Sequence, residues 1–151
     1  MDNKDVGKVL IDLCQLDIDA VGAYDIALKH ITIAAIHSKI EKFKQDHVQH
    51  IDNLSSLIRQ YDSEPPKNTP DLKGYLISGM TAVKSSMGLT GALKAMESNE
   101  VTTNKKYQDA LDENPDLPAD AKQLLQKNLG DERTHLNYIR EIIPQVESSA
   151  E

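Results

Sequence analysis

Tryptophan is absent from this chain, phenylalanine occurs once, and aromatic residues together make up only 4% of it. Strands draw on aromatic and β-branched side chains, so this scarcity argues against an all-β fold. Cysteine occurs once, as Cys14. No intramolecular disulfide can form, which fits a reducing compartment, and metal modules built on four thiolates are excluded. No apolar run approaches the ~20 residues of a membrane-spanning helix, so no membrane association is expected. The opening residues, Met1-Asp-Asn-Lys-Asp5, are acidic and polar, unlike a secretory leader, and the expected location is the cytoplasm. Basic charge is also in short supply, with 17 basic against 24 acidic residues and a formal net charge of -7. Without a basic stripe, nucleic acid is not an expected partner. An acidic surface attracts cations, but weakly and without selectivity.

What the chain does have is helical periodicity. With 151 residues, 39% hydrophobic and 27% charged, it has the size of one domain, 1–151, and can bury a core without staples. Apolar residues recur at three- and four-residue steps through four long segments, the period of a helix. Segment 4–31 carries Val6, Leu10, Leu13, Ala20, Tyr24, Ala27 and Ile31 on one stripe, and 33–61 carries Ile33, Ile36, Ile40, Phe43, Leu54 and Leu57. Segment 91–112 has Leu93, Met96, Tyr107 and Ala110, and 119–146 has Ala121, Leu125, Ile139 and Ile142. Thr32 is placed to cap the second helix, and Pro118 suits the first turn of the fourth. Short turns join the first helix to the second and the third to the fourth. The connection 62–90 is long enough to run the length of a bundle, and 71–87 within it has the spacing of a short extra helix. The fold class is therefore all-α: a four-helix bundle of two antiparallel hairpins joined by a long crossover. No convincing internal repeat is visible, since both halves are helical hairpins whose sequences match poorly.

Polar residues interrupt each core stripe near its middle. Asp17 interrupts the first helix, His47 and His50 the second, Glu100 the third, and Glu132 and His135 the fourth. In an antiparallel bundle mid-helix positions share one level, so three carboxylates and three imidazoles converge there. Burying three unpaired carboxylates is prohibitive unless they are protonated, paired or bound to cations, and a divalent metal is the simplest compensation. Glu132 and His135, three residues apart, share a helix face and can reach one ion. His30 and His37 lie near the first turn and are read as surface. Cys14 is read as a small buried residue, and Met80, Met87 and Met96 as gap-fillers. Asp112, Glu113, Asp116 and Asp120 are read as a solvated loop.

Asp17-x-x-Ala20-x-x-x-Tyr24 resembles the Glu-x-x-Ala-x-x-x-Tyr pattern of the first ferritin-like helix. Glu100 followed by Tyr107 resembles the third helix of rubrerythrins, and Asp131-Glu132-Arg-Thr-His135 the Glu-x-x-His of the fourth. The resemblance covers nearly the whole chain and is closest to small, rubrerythrin-related bacterial bundles of unassigned function. It implies a ferritin-like bundle holding two iron ions, or manganese or zinc, on Asp17, His47, His50, Glu100, Glu132 and His135. Tyr24, Asp46, Tyr107 and Asn128 would support those ligands. The chain departs from the pattern at Asp17, one methylene shorter than Glu, and at His47, where the family has Glu. Three carboxylates then face two divalent ions, where the usual set supplies four. Asp46 is a candidate fourth carboxylate, although it lies beside the stripe. His50 occupies the family's histidine position, while His47 is either a ligand or a half-exposed flank.

Two functions of different class follow. In the first, a di-metal oxidoreductase reacts Fe(II) with oxygen or peroxide, in iron handling or oxidative stress, with any reductant supplied by another protein. In the second, the bundle is structural or interacting, and its buried polar core holds zinc or no metal and fixes helix register. A weaker third expectation is a subunit of an iron-storage shell. The 62–90 connection is read either as a cover for the bundle or as the contact of a homodimer.

Overall fold

The computed structural model describes residues 1–71 and 88–149. Among these residues there are four helices: α1 (Asn3–Leu28), α2 (Ala34–Gln60), α3 (Leu89–Glu113) and α4 (Ala119–Ser149). Their limits fall within a few residues of the sequence expectation. The short helix anticipated over 71–87 lies outside the described residues, as do Met80 and Met87. Among the described residues no helix is long and apolar enough to cross a membrane.

Local chemistry sets the ends. Asp2 caps α1, its side chain accepting from the Asp5 amide at 2.8 Å, which satisfies one donor of the helix start. The cap expected from Thr32 does not form. Ile33 takes that position in extended geometry with no side-chain hydrogen bond to give, because the chain turns one residue later than the spacing suggested. Ile33 is correspondingly 43% exposed and not part of the core. Pro118 precedes α4, and its carbonyl accepts from the Lys122 amide at 2.9 Å. Asp120, expected in a solvated loop, is in the first turn of α4 and accepts from the Tyr61 hydroxyl at 2.6 Å.

α1 packs chiefly on α2 and α3 chiefly on α4, with α1 also against α3 and α2 against α4. Contacts run in opposite senses along each pair. Asp25 meets Lys44 while Asn3 meets Asp62 on α1 and the end of α2, and Lys94 meets Glu147 while Gln108 meets Arg133 on α3 and α4. Tyr24 reaches Glu100 and Asp17 reaches Tyr107, so α1 and α3 are antiparallel too. α2 therefore ends, and α3 begins, at opposite ends of the bundle. This is the hairpin–crossover–hairpin topology expected of the sequence.

The apolar core comes in two blocks. One gathers Val6, Leu10, Leu13, Leu54, Ile58, Leu125 and their neighbours. The other gathers Ala27, Ile36, Ile40, Phe43, Leu93, Met96 and Ile139. Each fully buried Leu or Ile contributes about 1.5–3 kcal/mol relative to exposure. Between the blocks lies a layer of buried charge.

Candidate metal centre

That layer holds Asp17, His47, His50, Glu100, Glu132 and His135, all at or near zero exposure. Each arrives there because its helix buries the stripe it interrupts. The structure brings all six together. His47 is not a half-exposed flank but the centre of the cluster. His30 and His37 stand outside it, and Cys14 is buried one turn from Asp17, its thiol pushed up to about 11 by burial.

Two groups of four ligand-type residues form within the layer, Asp17–His47–His50–Glu132 and His47–Glu100–Glu132–His135. In the first, Asp17 Oδ1 lies 2.7 Å from His47 Nδ1 and 3.1 Å from His50 Nδ1, and Glu132 Oε1 lies 3.4 Å from both nitrogens. In the second, Glu100 Oε1 lies 3.2 Å from His47 Nε2 and 3.4 Å from His135 Nδ1, which is also 3.4 Å from Glu132 Oε2. A tetrahedral ion with ligands at about 2.0–2.1 Å has donor–donor edges of about 3.3–3.4 Å, so both groups are close to ligand spacing.

A second set of polar groups holds these donors from behind. His50 Nε2 meets Asp131 Oδ2 at 2.8 Å, and His135 Nε2 meets Asp46 Oδ2 at 2.9 Å. Each imidazole therefore turns Nε2 outward to a carboxylate and Nδ1 inward, the orientation of a metal-ligating histidine. Asp46 does not enter as a fourth inner carboxylate, because its position one residue off the stripe aims it at the far side of His135. The Tyr24 hydroxyl donates to Glu100 Oε1 and the Tyr107 hydroxyl to Asp17 Oδ2. Asn128 donates to the Tyr107 oxygen at 3.2 Å. Asp131, Thr103 and Asn104 are supporting residues that sequence reasoning assigned no role. Thr103 Oγ1 lies 3.1 Å from Glu100 Oε2 and 3.2 Å from Glu132 Oε2, and Asn104 ties the Glu100 and Glu132 carbonyls together.

These partners reveal a repeat that the sequence comparison missed. Asp17 and Tyr24 are spaced as Glu100 and Tyr107 are, and Asp46-His47-x-x-His50 as Asp131-Glu132-x-x-His135. The two halves exchange their tyrosines and outer aspartates across an approximate two-fold axis. The repeat is faint in the sequence because the site residues carry it, while the surrounding stripes differ.

Electrostatics set Glu132 apart from the other two inner carboxylates. Burial works to raise the Asp17 and Glu100 carboxyls, but histidine hydrogen bonds and charges overcome it and hold both below the ordinary range. Burial likewise works against charged imidazoles, yet the surrounding carboxylates raise His50 and His135 to about 10 and His47 well above its usual value. Glu132 alone among the three carboxylates is raised, by burial and by the Glu100 charge. Among the described residues its Oε1 and His135 Nδ1 are buried without a hydrogen-bond partner. Orphaned buried polar atoms are rare and need an explanation. A cation between Glu132 and the imidazoles is one that the donor set fits.

A family model for a domain of unknown function, DUF2383, matches residues 5–113. The chain belongs to the DUF2383 family. The matched span holds α1, α2 and α3, while α4 supplies Asp131, Glu132 and His135 from beyond it. No curated protein matches this DUF2383 chain. Among solved structures it is similar to a dodecameric thioferritin, the bacterioferritin-related protein from Bacteroides fragilis. The TM-score is 0.75 at 12% identity, over 99% of this chain and 90% of that one. Such a likeness shows the fold, and the DUF2383 protein is a ferritin-like four-helix bundle.

Proposed function

We propose that this protein is a metal-binding ferritin-like bundle whose buried cluster takes iron, as a pair of ions, for reaction with oxygen or peroxide. The observation that carries the reading is the pair of inward-facing ligand atoms, Glu132 Oε1 and His135 Nδ1, which among the described residues meet only charged groups at 3.4 Å and have no hydrogen-bond partner. Two Fe(II) ions bound there would supply the electrons that reduce the oxidant. Asp17, Glu100 and Glu132 would hold them with His47, His50 and His135. Asp46 and Asp131 orient the imidazoles, Tyr24 and Tyr107 fix the carboxylates, and the two apolar blocks exclude bulk water. Both tyrosines are raised well above their ordinary values by burial and by neighbouring carboxylates, so they stay protonated as donors. Self-association, as a homodimer or a larger assembly, belongs to this reading because the thioferritin it resembles is a dodecamer.

A second reading has one specific observation in its favour. The three imidazoles raised in the metal-free chain balance the three inner carboxylates, so the layer also works as a register-fixing polar network with zinc or no metal. Elemental analysis of protein purified without chelators, followed by Fe(II) addition in air, separates the two. Bound iron, with a near-ultraviolet rise faster than in buffer, supports the redox reading. No bound metal and oxidation at the buffer rate leaves the polar network. Gel filtration tests assembly, and a monomer would remove self-association from the proposal.

A further inference from the structure

The two halves of the cluster are related by the approximate two-fold axis, except at its centre. His47 stands where the repeat places Glu132, and its ring divides the site. Nδ1 faces Asp17 at 2.7 Å and Nε2 faces Glu100 at 3.2 Å. A carboxylate at this place could offer an oxygen to each half. A neutral imidazole has one lone pair and one N–H, so His47 is a ligand on one side and a hydrogen-bond donor on the other.

The surroundings decide which side. The inward oxygen of Glu100 already accepts from the Tyr24 hydroxyl, and Thr103 lies within hydrogen-bond distance of Glu100 Oε2 and of Glu132 Oε2, the Glu132 oxygen that faces His135. On the Asp17 side Tyr107 donates to the outer oxygen Oδ2, and among the described residues the hydrogen-bonding groups at Oδ1 are the imidazole nitrogens of His47 and His50. The residue matching Thr103 in the repeat is Ala20, which has no hydroxyl. Charge points the same way. Asp17 and Glu132 neutralise one divalent ion, whereas Glu100 alone remains for a second, which would leave uncompensated positive charge in a dry core.

We propose that His47 makes the two half-sites unequal, so that the protein takes its first divalent ion between Asp17, His47, His50 and Glu132 while His47 Nε2–H closes the half-site of Glu100 and His135. This rests on the metal reading and gives it an order of filling. Losing even an outer partner of a ligand costs 10–100-fold in metal affinity, so a half-site lacking its fourth donor is weaker by about 100-fold or more.

Titration of the chelator-stripped, full-length protein with Co(II) tests this by visible absorption, with native mass spectrometry counting ions. One tight equivalent is expected, with the absorption of tetrahedral cobalt, followed by a second at least about 100-fold weaker. Asp17→Asn should remove the tight equivalent and Glu100→Gln should keep it. His47→Glu should bring the second equivalent up to within about tenfold of the first, through the restored fourth carboxylate. If that variant loses its helical spectrum, the isosteric Asp17→Asn and Glu100→Gln pair still decides the order. Two equal equivalents in the wild type, or loss of the tight one in Glu100→Gln, would overturn the inference while the metal reading stood. No cobalt bound at all would overturn both.

Discussion

Glu132 shows how one side chain separates the two readings of the core. Its carboxyl is raised by burial and by Glu100, so in the metal-free chain its negative charge is a cost near neutral pH. Glu132→Gln should therefore leave the metal-free protein at least as stable as the wild type. The same change should abolish stabilisation by added metal. Paired thermal melts with and without metal check this, and a large loss in the metal-free variant would favour the polar network. Asp131 gives a second test at this scale. It is not one of the six inner groups, and it holds His50 Nε2 at 2.8 Å. Asp131→Asn should weaken metal binding by about 10–100-fold, as expected for an outer partner of a ligating histidine. Competition against a chelator reads the shift, and unchanged affinity would mean that His50 is not a ligand. The stripe interruptions made the six inner residues legible in the sequence. Asp131 and Thr103 were not, because an aspartate beside a stripe and a threonine within one look the same whether or not they support a ligand.

At the scale of the helix, register matters more than propensity. Each donor reaches the layer only if its helix sits within a fraction of a turn of its observed position. α1 is set in part by Gly7, which lies against the chain just beyond α2. A Cβ built there would stand 2.1 Å from Ser63 Oγ and 2.9 Å from Ser63 Cβ. The nearer atom could rotate away but the farther one cannot, so backbone must shift. Gly7→Ala should cost about 1–3 kcal/mol, as overpacking does, despite the better helix propensity of alanine. Denaturant unfolding measures it, and a stabilised variant would show that this end of the bundle yields. Helix limits were readable because apolar period and turn residues agree, with Pro118 marking the start of α4. Thr32 was misplaced as a cap because a one-residue difference in where a chain turns leaves no trace in the pattern.

For the molecule as a whole, charge in the central layer ties stability to pH. His50 and His135 are raised to about 10 in the metal-free fold, against about 6.5 in an unfolded chain. Their contribution is complete below about pH 6.5 and is lost as pH rises toward 10. Asp46, lowered to about 2, with the His135 hydrogen bond the largest cause, contributes above about pH 4 and is lost as pH falls toward 2. The metal-free protein should be most stable between about pH 4 and 6.5. Metal binding needs neutral imidazoles, so the gain in melting temperature on adding metal should grow from pH 6.5 to pH 9. A ligand at 100 times its Kd adds about 2.7 kcal/mol, or about 5–10 °C for a chain of this size. Calorimetry at several pH values checks both trends, and a metal-free protein most stable at pH 9 would contradict the first.

Sequence alone determined the helical class, the four segments, the long crossover and the six groups that break the core stripes. These are local or periodic properties, set by residue spacing along one chain. Tertiary structure decided what periodicity cannot carry. It chose which face of His47 meets which carboxylate, paired His50 with Asp131 and His135 with Asp46 across helices distant in sequence, and left Glu132 Oε1 without a hydrogen-bond partner among the described residues. Those outcomes depend on the rotation and register of four packed helices at once, and a shift of one residue in any of them would send a different set of side chains into the layer.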